Sequence, residues 1–132
     1  MSDNLVRAAR IVGRAMLALL FIVAGATKLF TWKAVETYMA SKGVPALLLP
    51  LVVLLEIAGG LSLLSGFYLR WAAPALAGFC VLAAVIFHND FADRRETTLF
   101  LKDIALAGAL LVIASGAWRE SNAAMTASVN RW

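Results

Sequence analysis

Residues 46–69 read ALLLPLVVLLEIAGGLSLLSGFYL, an apolar run whose single carboxylate is Glu56 and which holds no lysine or arginine. A helix needs about 20 mostly apolar residues to cross a hydrocarbon core of ~30 Å, and this run is long enough. It lacks the alternating polar and apolar pattern of a membrane barrel strand. It is therefore predicted to be a transmembrane helix. At ~1.5 Å per residue Glu56 lies about 15 Å below the start of the run, near mid-membrane.

Three more runs of this kind flank it, at 11–30, 71–88 and 99–118. The prediction is an all-α integral membrane four-helix bundle in one domain, residues 1–118, followed by a polar, loose C-terminal tail at 119–132. Composition agrees. Of 132 residues, 62% are hydrophobic and 15% charged, and the mean hydropathy is +0.84. Soluble domains are about 45–50% apolar and about 25% charged. A chain this short cannot bury so much apolar surface by itself, so the bilayer must supply the missing cover, which argues against a soluble enzyme. The net charge of +4 does not indicate a nucleic-acid partner, because the basic residues lie mostly between apolar runs and form no clustered patch. They are read as topology determinants and contacts to anionic lipid. With one cysteine, Cys80, the chain has no intrachain disulfide and no CxxC pair.

Between the first two spans, residues 31–43 place Trp32, Val35, Tyr38 and Met39 at helical spacing with Lys33, Glu36 and Lys42 between them. This predicts a short amphipathic helix at the interface, capped at Gly43. Trp32, Trp71 and Trp118 fall at span ends, where indoles prefer to sit. The first span has a rival reading as a signal peptide, with Arg7, Arg10 and Arg14 as its basic region and Ala24-Gly25-Ala26 as its cleavage site. The three apolar runs that follow favour a retained helix. Pro74 is expected in the first turn of the third span, where it is tolerated. Pro50 is expected to cap or kink the second.

Four crossings put Arg7, Arg10, Arg14, Arg70, Arg119 and Arg131 on one side, against Lys28, Lys33, Lys42, Arg94, Arg95 and Lys102 on the other. If Lys28 and Lys102 lie in the membrane, six cations face four, and the positive-inside rule puts both termini in the cytoplasm.

Lys28, Glu56, Lys102 and Asp103 lie in or at the ends of these runs, and His88 closes the third. A charge at mid-membrane costs about 2.5–3.5 kcal/mol on insertion scales. Alternating helix directions gather these residues in the half of the membrane opposite the termini. Small residues nearby, Gly59 and Gly60 one turn from Glu56, Ala24 and Gly25 one turn from Lys28, and Ala105 and Ala109 one and two turns beyond Lys102, predict that all three point inward. Two readings compete. In one, the charges are interhelical ion pairs that fix helix order, with Lys28 partly snorkelling. In the other, Lys28, Glu56, His88, Lys102 and Asp103 line a polar ligand pocket, with Glu56, Lys102 and His88 as the catalytic candidates. His88 is the only histidine, which disfavours a haem held by two histidines. His88 with Asp90 is a weak metal suggestion, and a proton-transfer or hydrogen-bonding role suits His88 better. No metal site is expected, and there is no GxGxxG, phosphate-binding Gly-Lys loop or GxSxG.

Arg14-Ala-Met-Leu-Ala-Leu-Leu-Phe21 followed by Ala24-Gly25-Ala26-Thr27-Lys28-Leu29 resembles the opening of the DoxX family of small four-helix bacterial inner-membrane proteins. Glu56-Ile-Ala-Gly59-Gly60-Leu61, Gly66, Arg70-Trp71-Ala72-Ala73, Phe87-His88 and Phe100-Leu101-Lys102 continue the resemblance over about residues 6–118. It implies four spans and a link to membrane redox chemistry, including quinone-coupled oxidation of sulfur compounds. By position it points to Lys28, Glu56, His88 and Lys102. Relatives commonly have Asn after the fourth-span lysine, where this chain has Asp103. That carboxylate is expected to neutralise Lys102 and leave Glu56 freer to titrate.

The leading functional expectation is a redox-associated, quinone-interacting accessory subunit. If catalytic, it is an oxidoreductase component acting with a partner subunit. No cofactor is expected in the chain itself beyond a bound quinone. The alternatives are a small proton-coupled transporter and a non-catalytic membrane scaffold. Candidate partners are the lipid bilayer, a redox subunit and a second copy of the chain.

Overall fold

Ser2 opens the first helix by accepting the Leu5 N–H through Oγ at 3.3 Å, with Asp3 in the first turn, where the helix dipole favours negative charge. The computed structural model describes residues 1–132 and is all-α. Its helices are α1 (Asp3–Phe30), α2 (Trp32–Ser41), α3 (Leu49–Ser65), α4 (Leu69–Phe87) and α5 (Arg94–Val129), and a 3-10 turn over Ala46–Leu48 leads into α3. Four helical segments are long and apolar enough to cross a membrane, the second being this turn together with α3.

Each end has a local cause. At the end of α2, the Gly43 N–H donates to Ala40 O at 3.1 Å and the Val44 N–H to Met39 O at 3.0 Å. Gly43 takes φ +74°, which completes a Schellman cap. Helix α3 ends at Ser65 rather than at 69, because Gly66 turns left-handed at φ +86° and its N–H donates to Ser62 O at 2.9 Å. Tyr68, also left-handed at φ 58°, then starts α4 earlier than expected. Pro74 consequently lies inside α4 and not in its first turn. Its missing N–H leaves Arg70 O without the usual helical donor, and the Trp118 indole N–H donates to that carbonyl at 3.1 Å.

Residues 119–129 are not a loose tail. They continue α5 to Val129, since the segment holds no glycine or proline and is rich in alanine. The full α5 of 36 residues would run ~54 Å, well beyond the hydrocarbon core.

The chain divides into two helical units, Met1–Phe67 and Tyr68–Trp132. In the first, α1 packs on α3. The buried residues of α3 include Leu49, Val53, Glu56, Gly60 and Leu63, alternating steps of four and three along one stripe. Ala18, Phe21 and Gly25 form the corresponding stripe of α1. Close approach depends on glycine. A Cβ on Gly25 would stand 2.6 Å from Ile57 Cγ1, and one on Gly60 would stand 2.7 Å from Ile22 Cγ1 and 3.2 Å from the Ile22 backbone nitrogen. On α2, Trp32, Val35, Glu36 and Met39 are the covered residues, whereas Tyr38 is exposed. Glu36 therefore takes the place expected of Tyr38, holding the Trp32 indole N–H at 3.0 Å. In the second unit α4 packs on α5, with Ala73, Leu76, Ala77, Cys80 and Ala84 buried on α4 and Ala107, Leu110 and Ala114 on α5. Leu19, Leu54, Leu64, Leu82 and Val112 are all exposed, and in a membrane acyl chains cover them.

Gly60→Ala is expected to destabilise the protein by about 1–3 kcal/mol, because its Cβ meets backbone and a stiff β-branched side chain. Gly78→Ala has nothing within 4 Å of its Cβ and is expected to be neutral or stabilising by up to about 1 kcal/mol. Thermal unfolding of both variants in detergent micelles checks the contrast.

Candidate functional site

Lys28 stands in the last turn of α1, and the heptad-like stripe of α3 turns Glu56 toward α1. The Lys28 Nζ donates to Glu56 Oε1 at 2.9 Å and lies 3.5 Å from the Ala24 carbonyl oxygen. The Lys28 side chain is 25% exposed and that of Glu56 only 4%. The ammonium thus reaches back along α1 toward Ala24 and meets the carboxylate in the seam. Glu56 Oε2 is buried and has no hydrogen-bond partner in the protein. A carboxylate offers about four acceptor positions, and in a low-dielectric setting each one unused is costly. While the pair with Lys28 is ionised, whatever satisfies Oε2 is a hydrogen-bond donor. The other buried polar atom in this condition is Arg14 Nε, in a guanidinium packed on the α3 cap, where a Cβ on Gly66 would lie 2.8 Å from Arg14 Nη1.

The second unit carries a different constellation. Asp93 caps α5 by accepting the Arg95 N–H at 2.8 Å. Glu96, three residues on, occupies the position from which a capping-box glutamate reaches back to the cap. It bonds His88 Nδ1 instead, at 2.9 Å. Asp103 lies two helical turns further along the same face of α5, with Oδ2 3.8 Å from His88 Nε2. The ring sits between two carboxylates, each facing a different nitrogen. All three side chains are partly buried, at 19–25% exposure. An ionised carboxylate only accepts, so Nδ1 carries the proton when it pairs with Glu96. Nε2 is then the basic nitrogen of the neutral ring. This arrangement can accept, hold and release a proton. It does not present its oxygens to one common point, as a chelated metal requires.

Several expectations change here. Lys102 does not point inward. It is exposed, as are Ala105 and Ala109. The inward stripe of α5 runs through Asp103, Ala107, Leu110 and Ala114, and the adjacent residue is turned ~100° away. For the same reason Asp103 neighbours His88 rather than neutralising Lys102. Asp90 is not paired with His88 either, as its Oδ1 accepts the Ala92 N–H at 3.2 Å in the turn. Glu96 was absent from the expected set because it reads as one more charge in a polar connection. The Asp93-x-x-Glu96 spacing, together with Asp103 seven residues on, is the signal that points to it. Lys28 and Glu56 meet within the first unit, and His88 and Asp103 within the second.

The DoxX family model matches residues 9–89. That range contains Lys28, Glu56 and His88 and stops short of Glu96, Lys102 and Asp103. The chain is similar to inner membrane protein YqjF of Escherichia coli, with 40% identity over 104 residues, 79% of this chain and 80% of that one. It is also similar to inner membrane protein YphA of Escherichia coli, at 28% identity over 111 residues, 79% of each. No solved structure matches it.

Lys28→Met leaves a buried carboxylate without its cation and is expected to cost about 3–5 kcal/mol. Lys28→Met combined with Glu56→Leu is expected to recover most of that loss, read from thermal unfolding of the single and double variants. For the second constellation, 15N labelling of histidine reports one residue only, since His88 is the sole histidine. The neutral ring is expected to show its proton on Nδ1, and Glu96→Gln to weaken that tautomer. A neutral ring protonated on Nε2 would contradict the geometry.

Proposed function

The chain belongs to the DoxX family, and from that premise we propose that it is a quinone-interacting accessory subunit of a membrane redox system, engaging its ligand in the hydroxyl-bearing, reduced form at Glu56. One observation carries this reading, the buried Oε2 with no donor of its own beside an Oε1 held by Lys28 at 2.9 Å. A quinone offers only carbonyl acceptors to this site. A quinol offers hydroxyl donors, and its apolar tail suits the acyl chains on the lipid side. Lys28 holds Glu56 in place through Oε1, and the free oxygen takes the quinol O–H. The motifs that bind flavin, haem or iron–sulfur clusters are not found in the sequence, so electrons would pass through a partner subunit.

Four helices long and apolar enough to cross a membrane, in a chain similar to two proteins named for the inner membrane, support a multi-pass inner-membrane protein. With Lys28 engaged at the membrane-buried Glu56, the arginine-rich side holds the terminal regions, which favours cytoplasmic termini.

The test is binding of a short-tailed quinol and of its quinone to the purified protein in lipid nanodiscs. A hydrogen bond to a charged acceptor contributes about 1.5–3 kcal/mol, so the quinol is expected to bind at least about tenfold more tightly. Glu56→Gln is expected to abolish that preference. Equal binding of the two forms, or binding of neither, overturns the proposal.

A further inference from the structure

Arg70 lies at the start of α4, where the apolar stretch of that helix begins, and Trp118 closes the apolar stretch of α5. From residue 99 to residue 118 is about 30 Å of helix, the thickness of the hydrocarbon core. This end of the second unit therefore stands at headgroup level. The Arg70 guanidinium lies over two indoles, with its carbon 4.7 Å from the centre of the Trp118 ring and 5.1 Å from that of Trp71. The two rings meet edge to face at 5.4 Å. Nη1 donates to Ser121 Oγ at 2.6 Å. These neighbours are neutral, so none of them compensates the charge.

The arrangement follows from Pro74. A proline there leaves Arg70 O open, and the Trp118 indole N–H fills it at 3.1 Å. That bond pins the indole under the guanidinium of the same arginine. The cation is thus held by two rings, one of them fixed by its bond to the Arg70 carbonyl, and by a hydroxyl, with most of its five N–H donors still available. Trp71 is 59% exposed, so the pair of rings is open on one side. A guanidinium presents a planar fork that fits a phosphate bidentately, and indoles favour the glycerol and headgroup layer.

We propose that Arg70, Trp71, Trp118 and Ser121 form a binding site for the phosphate of an anionic membrane phospholipid. The guanidinium takes the phosphodiester oxygens, the indoles border the glycerol backbone, and the lipid runs along the outside of α4 and α5. The site is independent of the quinol reading, since it uses none of the residues assigned to that ligand.

The experiment titrates the full-length protein in a neutral detergent with short-chain phosphatidylglycerol, phosphatidylcholine and inorganic phosphate, read by tryptophan fluorescence and by lipid adducts in native mass spectrometry. Phosphatidylglycerol is expected to bind at least tenfold more tightly than phosphatidylcholine, with inorganic phosphate binding weakest. Arg70→Gln is expected to lose the phosphatidylglycerol adduct, and Arg70→Lys to lower affinity severalfold by keeping the charge without the fork. Ser121→Ala, a change of one half-buried hydroxyl to a good helix former, is expected to lower affinity severalfold and serves if Arg70→Gln does not fold. Undiminished phosphatidylglycerol binding in both Arg70→Lys and Ser121→Ala overturns the site. Inorganic phosphate binding as tightly as phosphatidylglycerol overturns its assignment to lipid.

Discussion

The first unit is organised around a charge that an apolar seam has to accommodate. Glu56 sits on the buried stripe of α3, and its carboxylate is stable there only because Lys28 reaches it from α1. The register of the two helices is constrained accordingly. Sliding α1 by one turn would withdraw the ammonium and would also take Gly25 and Gly60 away from the places where a side chain cannot fit. The ion pair and the glycine contacts specify the same alignment, and agreement of this sort selects one packing over its neighbours.

The pair also leaves a specific chemical remainder. Lys28 satisfies one carboxylate oxygen and leaves the other as an acceptor in a dry environment. The surrounding protein provides no hydroxyl or amide to fill it. Buried lone pairs are normally engaged, so this oxygen stands out among the buried polar atoms of the protein. The His88 constellation has the opposite character, with Nδ1 bonded to Glu96, Asp103 3.8 Å from Nε2 and no buried polar atom left over.

Backbone irregularities account for much of the rest. Gly66 ends α3 early and gives Arg14 a surface to pack on. Pro74 breaks one helical hydrogen bond in α4, and that single open carbonyl ties Trp118 of α5 to Arg70. A residue usually read as a local helix breaker therefore sets a contact between residues 48 positions apart. The long α5 shows the reverse case, because its polar end stays helical once no glycine or proline interrupts it.

The residue pattern alone establishes the four apolar helices, the short amphipathic helix before α3, the Gly43 cap and Glu56 as the costly carboxylate. These follow from run length, helical period and backbone chemistry, all of which are local. It also suggests a partner for Glu56, because Lys28 has small residues on the same face. What it could not supply is helix rotation to within one residue. Lys102 and Asp103 are adjacent in the chain, yet a ~100° turn puts one at the surface and the other beside His88. Glu96 is indistinguishable from an ordinary interfacial charge until α5 folds back on the end of α4. Arg70 reads as a topology signal until Pro74 is seen to leave its carbonyl open for the Trp118 indole. Those assignments depend on which faces of packed helices meet, and only the tertiary structure decides that.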